Sequence, residues 1–201
     1  MSSEPTDKAK QLVHNDGIVN PSGALMGSAV MLYIIGVPIS SYITKPGGIV
    51  QSVAQEALKL IPGGVAPDRT IPALAALYTF VTFVGSASLS VAGQAMSRAG
   101  KFDNHHPRKH VNNLDGLPLR LRSAHYGLIE HFSSFAVAAS LAQILSPRNQ
   151  QITNLLGLHV VLKVVGFYVA YVANIAPLRS ISHVVATSAV VNVLLRLANG
   201  A

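Results

Sequence analysis

The chain has 201 residues, is half hydrophobic and only 11% charged, and contains no tryptophan and no cysteine; a soluble domain averages about 25% charged residues, so a single membrane-embedded domain is expected. Without cysteine there is no disulfide framework, thiolate nucleophile or thiolate metal site, and any thiol chemistry needs a thiol carried in on a ligand. The net charge of +7 does not imply nucleic acid as a partner, because six of the fifteen basic residues fall within residues 98–122, beside long apolar segments, where membrane topology accounts for them.

Residues 1–23 read as a polar, solvent-exposed tail carrying Glu4, Asp7, Lys8, Lys10 and Asp16, without the basic-then-apolar layout of a cleaved signal peptide. Residues 24–70 supply a first span, 24–43, with a kink expected at Pro38, and a weakly amphipathic connector that ends in the turn-rich run ProGlyGlyVal from Pro62. Four further spans follow within residues 71–201: 71–97, with Pro72 in its first turn, where proline costs least; 123–146, stopped by Pro147; 152–174; and a last one that begins after residues 176–180 (AlaProLeuArgSer) and reaches 198. Each of the five can cross a hydrocarbon core of about 30 Å, which takes roughly 20 helical residues.

Lysine and arginine set the orientation. The loop between the second and third spans carries Arg98, Lys101, Arg108, Lys109, Arg120 and Arg122, and the loop after the fourth carries Arg179. The opposite loop, from Pro147, has the single Arg148. The positive-inside rule therefore places residues 98–122 and the N-terminal tail in the cytosol, in the endoplasmic reticulum or a related membrane if the source is eukaryotic.

Ionisable residues inside spans mark sites by default. On the third span Ser123, Gly127, Glu130 and Ser134 share one face, a small and polar packing surface in which Glu130 requires a cationic partner or a polar ligand. On the fourth, His159, Lys163, Phe167 and Tyr171 recur every four residues, with Asn174 three further on. The fifth presents Arg179, Ser182, His183 and Thr187. Three polar stripes at one level point to a shared pocket near the cytosolic rim. On the second span, Ser86 with Ser90 and Ser88 with Ala92 give small-xxx-small spacing suited to close helix packing. In the loop, His106 and His110 lie four apart beside Asp103 and His105, but no cysteine or strong carboxylate cluster accompanies them. A hydrogen-bonded loop structuring the pocket entrance is expected there, and no metal.

The order of these parts resembles the membrane-associated proteins in eicosanoid and glutathione metabolism, the MAPEG family, in its microbial-type branch. The residues that carry the likeness are AspAsnHisHisProArg at 103–108, then Arg120, Arg122, His125 and Glu130 followed by Phe135, and last Tyr171 followed by AlaProLeuArgSer. The resemblance covers roughly residues 72–198 and implies an all-α, integral membrane four-helix bundle to which the first span is an addition. It further implies a homotrimer that binds glutathione between subunits at the cytosolic side. By position, Glu130 would hold the ligand's amino end, Arg122 and His125 would lie by its carboxylates, Arg179 with Ser180 would sit by the sulfur, and Tyr171 would line the pocket. An arginine beside a thiol favours the thiolate, and a ligand with two carboxylates suits arginine better than lysine.

Four positions depart from the family's pattern: Gly127 where asparagine is common, Tyr126 where arginine is common, Phe167 for a tyrosine or histidine, and His183 for a tyrosine. The leading expectation is a membrane glutathione-dependent transferase, peroxidase or isomerase acting on a lipophilic substrate, with Arg179 stabilising the thiolate, the site comprising Arg122, His125, Glu130, Tyr171, Arg179, Ser180 and His183. One alternative is a glutathione-independent isomerase or cyclase of a hydrophobic metabolite that uses Glu130, His125 or His183 as acid and base. Another is a non-catalytic lipid-binding scaffold.

Overall fold

The computed structural model describes residues 21–98 and 102–200. Most of the expected polar tail and Lys101 of the basic loop lie outside the described residues. Five helices are long and apolar enough to cross a membrane: α1 (Ser22–Ile43), α3 (Pro67–Met96), α4 (Gly116–Leu145), α5 (Gln150–Val172) and α6 (Ala176–Ala198). The connector between the first two spans folds into the short helix α2 (Ile49–Leu58). Described residues form helices and turns with no strand, so the fold is all-α and membrane-spanning, with Leu25, Val30, Ile34, Phe80, Val137, Ile144 and Val165 exposed on the outer surface.

The bundle closes on small residues. Ala138 and Ala142 of α4 and Ala186 and Ala189 of α6 are fully or almost fully buried, and their short side chains let helix backbones approach closely. Leu155, Leu156 and Val160 of α5 fill the space between them. Tyr78 of α3 is also buried, donates to the Leu128 carbonyl at 3.2 Å and packs edge-on against Phe135. Of the two small-residue pairs on α3, Ser86 and Ser90 face inward while Ser88 and Ala92 face out. Gly93 continues the inward face: a Cβ there would stand 3.0 Å from Leu121 Cδ1, a tight fit where α3 meets α4.

Two helices begin earlier than hydropathy suggests. The α4 helix starts at Gly116, well before the apolar stretch opens at Ser123, and α6 starts at Ala176, so AlaProLeuArgSer forms its first turns. Hydropathy locates hydrocarbon, whereas these helices continue into the interface, where arginines reach water. Pro118 and Pro177 sit in the first turns, where the missing N–H costs nothing. At the other end of the bundle α5 is capped by Asn149, whose Oδ1 accepts from the N–H groups of Gln151 and Ile152 at 3.1 Å each.

The α5–α6 turn is built from Asn174, the one non-glycine residue with positive φ (63°) among those described. Ile175 N–H donates to the Ala170 carbonyl at 2.8 Å and Asn174 N–H to that of Tyr171 at 3.2 Å, the paired bonds of a left-handed helix cap. A third terminal carbonyl, of Val172, accepts from Arg120 Nε at 2.9 Å. A guanidinium at the negative end of the helix dipole adds a favourable charge interaction.

The added helix α1 docks on α6 through a polar seam. Gly36 sits against Ser188, leaving no room for a side chain. Ser188 Oγ donates to the Tyr33 carbonyl at 3.0 Å, and Asn192 Nδ2 reaches the Val37 carbonyl, Ser40 Oγ and Ser41 Oγ at 3.1, 2.9 and 2.7 Å. Pro38 disturbs the regular backbone ladder here, and the polar groups of α6 meet it at that level. Interhelical hydrogen bonds of this kind contribute about 0.6 kcal/mol each. Asn192→Leu is therefore expected to loosen α1 by roughly 1–2 kcal/mol, raising hydrogen exchange across Ser22–Ile43 while leaving α3–α6 protected.

Candidate functional site

At the end of the bundle that carries the basic loop, α4, α5 and α6 enclose an open groove of about 780 Å³. Arg122, Tyr126, Gly127 and Glu130 of α4, Phe167 and Tyr171 of α5, and Arg179 and His183 of α6 line it, with Val111, Leu114 and Leu119 forming an apolar wall. Five of the seven expected site residues thus meet in one groove. The other two do not line it: His125 turns to α3, where Nδ1 meets Ser86 Oγ at 2.8 Å, and Ser180 lies on the exposed surface.

Each groove arginine rests on a tyrosine. The Arg122 guanidinium lies 4.3 Å from the Tyr126 ring centroid and Nη2 donates to Tyr126 OH at 2.6 Å. The Arg179 guanidinium lies 4.7 Å from the Tyr171 ring. Stacking on an aromatic face limits the freedom of a long side chain while leaving most of its donors available. Arg122 Nε is buried and has no partner. Among the described residues the ion pairs lie elsewhere, at Lys59–Glu56, Arg69–Asp68 and His106–Asp103, so neither groove arginine is neutralised by a described carboxylate. Glu130 is exposed on the groove and equally without a cation within ion-pair distance. The Asn174 cap places Tyr171, on the last turn of α5, opposite Arg179, on the first turn of α6.

Two of the departures noted in the sequence fit each other. A Cβ on Gly127 would stand 2.5 Å from Phe167 Cζ and 2.8 Å from Cε1, so the Phe167 ring occupies the space that an asparagine at 127 would need. The ring is held by its neighbours, Tyr171 at 5.5 Å and His183 at 5.7 Å between centroids, with Lys163 Nζ 4.4 Å from its own. A third departure, Tyr126, is the platform under Arg122. The π-helical segment Leu162–Tyr168 of α5 helps to form this wall. Its wider turn offsets the drift that a four-residue spacing has on an α-helix, and His159, Lys163 and Phe167 are all buried.

The loop before α4 is organised by Asp103. Its Oδ1 accepts from the N–H groups of His105 and His106 at 2.9 and 3.2 Å, and Oδ2 meets His106 Nδ1 at 3.2 Å. Reduced solvation works against ionisation, but these donors outweigh it and hold the Asp103 carboxyl below its usual range.

Sequence reasoning missed three parts. Arg120 caps α5 and is not among the groove-lining residues; its i,i+2 relation to Arg122 already puts the two on different faces of a helix. Tyr126 stands four residues after Arg122, a spacing at which helix side chains meet, so the pair was available to inspection. The contact between Lys163 and His183, Nζ to Nδ1 at 3.2 Å, joins two helices and leaves no trace in spacing.

Residues 71–199 match the sequence profile of the MAPEG family. No curated protein matches the chain, and no solved structure does. Gly127→Ala is expected to cost about 1–3 kcal/mol through overpacking, and Gly127→Ala with Phe167→Leu less than the sum of the two single changes, as read by unfolding in detergent.

Proposed function

The chain belongs to the MAPEG family, and from that premise we propose that it is a glutathione-dependent transferase, peroxidase or isomerase working in the membrane on a lipophilic substrate. Family membership supports a glutathione-related function of transferase or isomerase type in an integral, multi-pass membrane protein. The single observation that carries the finer reading is the pair of tyrosine-stacked arginines, Arg122 and Arg179, in one groove with no described carboxylate neutralising them.

The groove suits the ligand. Glutathione offers two carboxylates, one ammonium and a thiol. The unpartnered Nε of Arg122 and its remaining donors suit a carboxylate. Glu130 suits the ammonium, and Arg179 places positive charge where a sulfur would sit beside Tyr171. Bound glutathione supplies the nucleophilic or reducing sulfur that this chain lacks. Arg179 favours the ionised thiol by charge. Leu114, Leu119 and Phe167 offer an apolar wall to the substrate's hydrocarbon part and exclude water from it.

The homotrimer belongs to the same proposal: family membership supports it, and Glu130 is compatible with it. Glu130 lies on α4 roughly 10 Å past Ser123, where the apolar stretch opens, and a carboxylate inside a span is costly without a partner. Within the protomer it has no cation at ion-pair distance among the described residues, so its partner is the ligand or an adjoining copy. The basic loop then faces the cytosol.

In detergent, glutathione is expected to raise the melting temperature saturably, and Arg179→Ala and Glu130→Ala each to weaken binding by about tenfold or more. Conjugation of a chlorodinitrobenzene should track the same variants. Stabilisation by lipids alone, with no turnover of that electrophile, would reassign the protein as a lipid-binding scaffold.

A further inference from the structure

Behind the groove, between α4, α5 and α6, lies a lysine that makes no ion pair among the described residues. Lys163 is fully buried, and its Nζ contacts the Gly127 carbonyl at 3.4 Å and His183 Nδ1 at 3.2 Å. Phe167 lies over the ammonium at 4.4 Å and stands between it and the groove. Lys163 therefore has no direct path to a bound molecule, whereas His183 lines the groove itself.

The bond between them has a direction. With Lys163 as the ammonium, which has donors only, Nδ1 of His183 accepts; in a neutral imidazole the single ring hydrogen is then on Nε2. The ring is bracketed as well as bonded: His131 stands edge-on at 4.5 Å, Phe167 lies at 5.7 Å, and Tyr33 of α1 closes the back at 6.3 Å. With Nδ1 engaged inward, Nε2 is the nitrogen left for a ligand.

We propose that Lys163 is a positioning residue for the ligand site: by donating to Nδ1 it fixes His183 as an Nε2–H donor toward an anionic group of the bound ligand. The identity of that ligand as glutathione rests on the reading given under Proposed function; the tautomer does not. Lys163 thus acts through His183 and touches no ligand atom.

The test separates the two claims. Protein labelled with 15N at histidine is examined in detergent without ligand, the His183 signals being identified by their loss in His183→Gln. The wild type should show a bare Nδ1 and a protonated Nε2, and Lys163→Met should admit the Nδ1–H form. Lys163→Met replaces a buried cation by an apolar chain of similar length, a change buried sites tolerate well. Calorimetric titration with glutathione should then show Lys163→Met binding about tenfold more weakly than wild type, and no further loss when Lys163→Met is added to His183→Leu. An Nδ1–H tautomer in the wild type overturns the proposal, as does a loss from Lys163→Met that persists in the His183→Leu background. A wild type that binds no glutathione but shows the tautomer change supports the role of Lys163 and sinks the glutathione reading alone.

Discussion

The turn between α5 and α6 governs the geometry of everything at the basic end of the bundle. A helix that stops near the membrane boundary leaves carbonyls that water cannot reliably reach. Here a left-handed asparagine turns the chain so that two of them are met by backbone N–H groups, and Arg120 of α4 meets a third. One set of bonds thereby ends α5, starts α6 and ties both to α4. Because Tyr171 lies in the last turn of one helix and Arg179 in the first turns of the next, the same bonds fix the separation of the aromatic platform and the guanidinium above it. Any residue with a branched β-carbon at 174 would carry the strain of a positive φ into that arrangement.

Behind this rim the interior is polar in a way that membrane bundles seldom are. Lys163 and His159 are wholly buried, yet the nearest acid, Glu130, faces outward into the groove. The cost of enclosing a lysine is met by ring faces, a carbonyl and an imidazole, each a weak acceptor for an ammonium. This lysine stands behind a groove whose lining carries Arg122 and Arg179 together with the exposed Glu130.

Much of this was legible in the sequence, and the parts that were not share a physical cause. Hydropathy located the five spans because burial in lipid demands apolar length, and four-residue spacing placed Glu130, Tyr171, Arg179 and His183 on faces that meet. The early starts of α4 and α6 were hidden because helical backbone continues where hydrocarbon ends. His125 looked like a pocket residue beside Arg122, yet its partner is Ser86, 39 residues earlier in the chain. Gly127 and Phe167, read singly, were departures from the family's pattern; only the packed structure shows that the ring of one fills the space the other leaves. Spacing reveals a face, but what a face meets depends on helix pairing, which one sequence does not display.

The seam between α1 and α6 bears on how a bilayer-dissolved molecule could arrive. Ser188 and Asn192 bind α1 along one flank of α6, and Tyr33 of the same helix backs His183. That flank is thereby walled off from the acyl chains. The groove stays open on the side where α4 exposes Tyr126 and Glu130, so a carboxylate and a phenol stand at that opening.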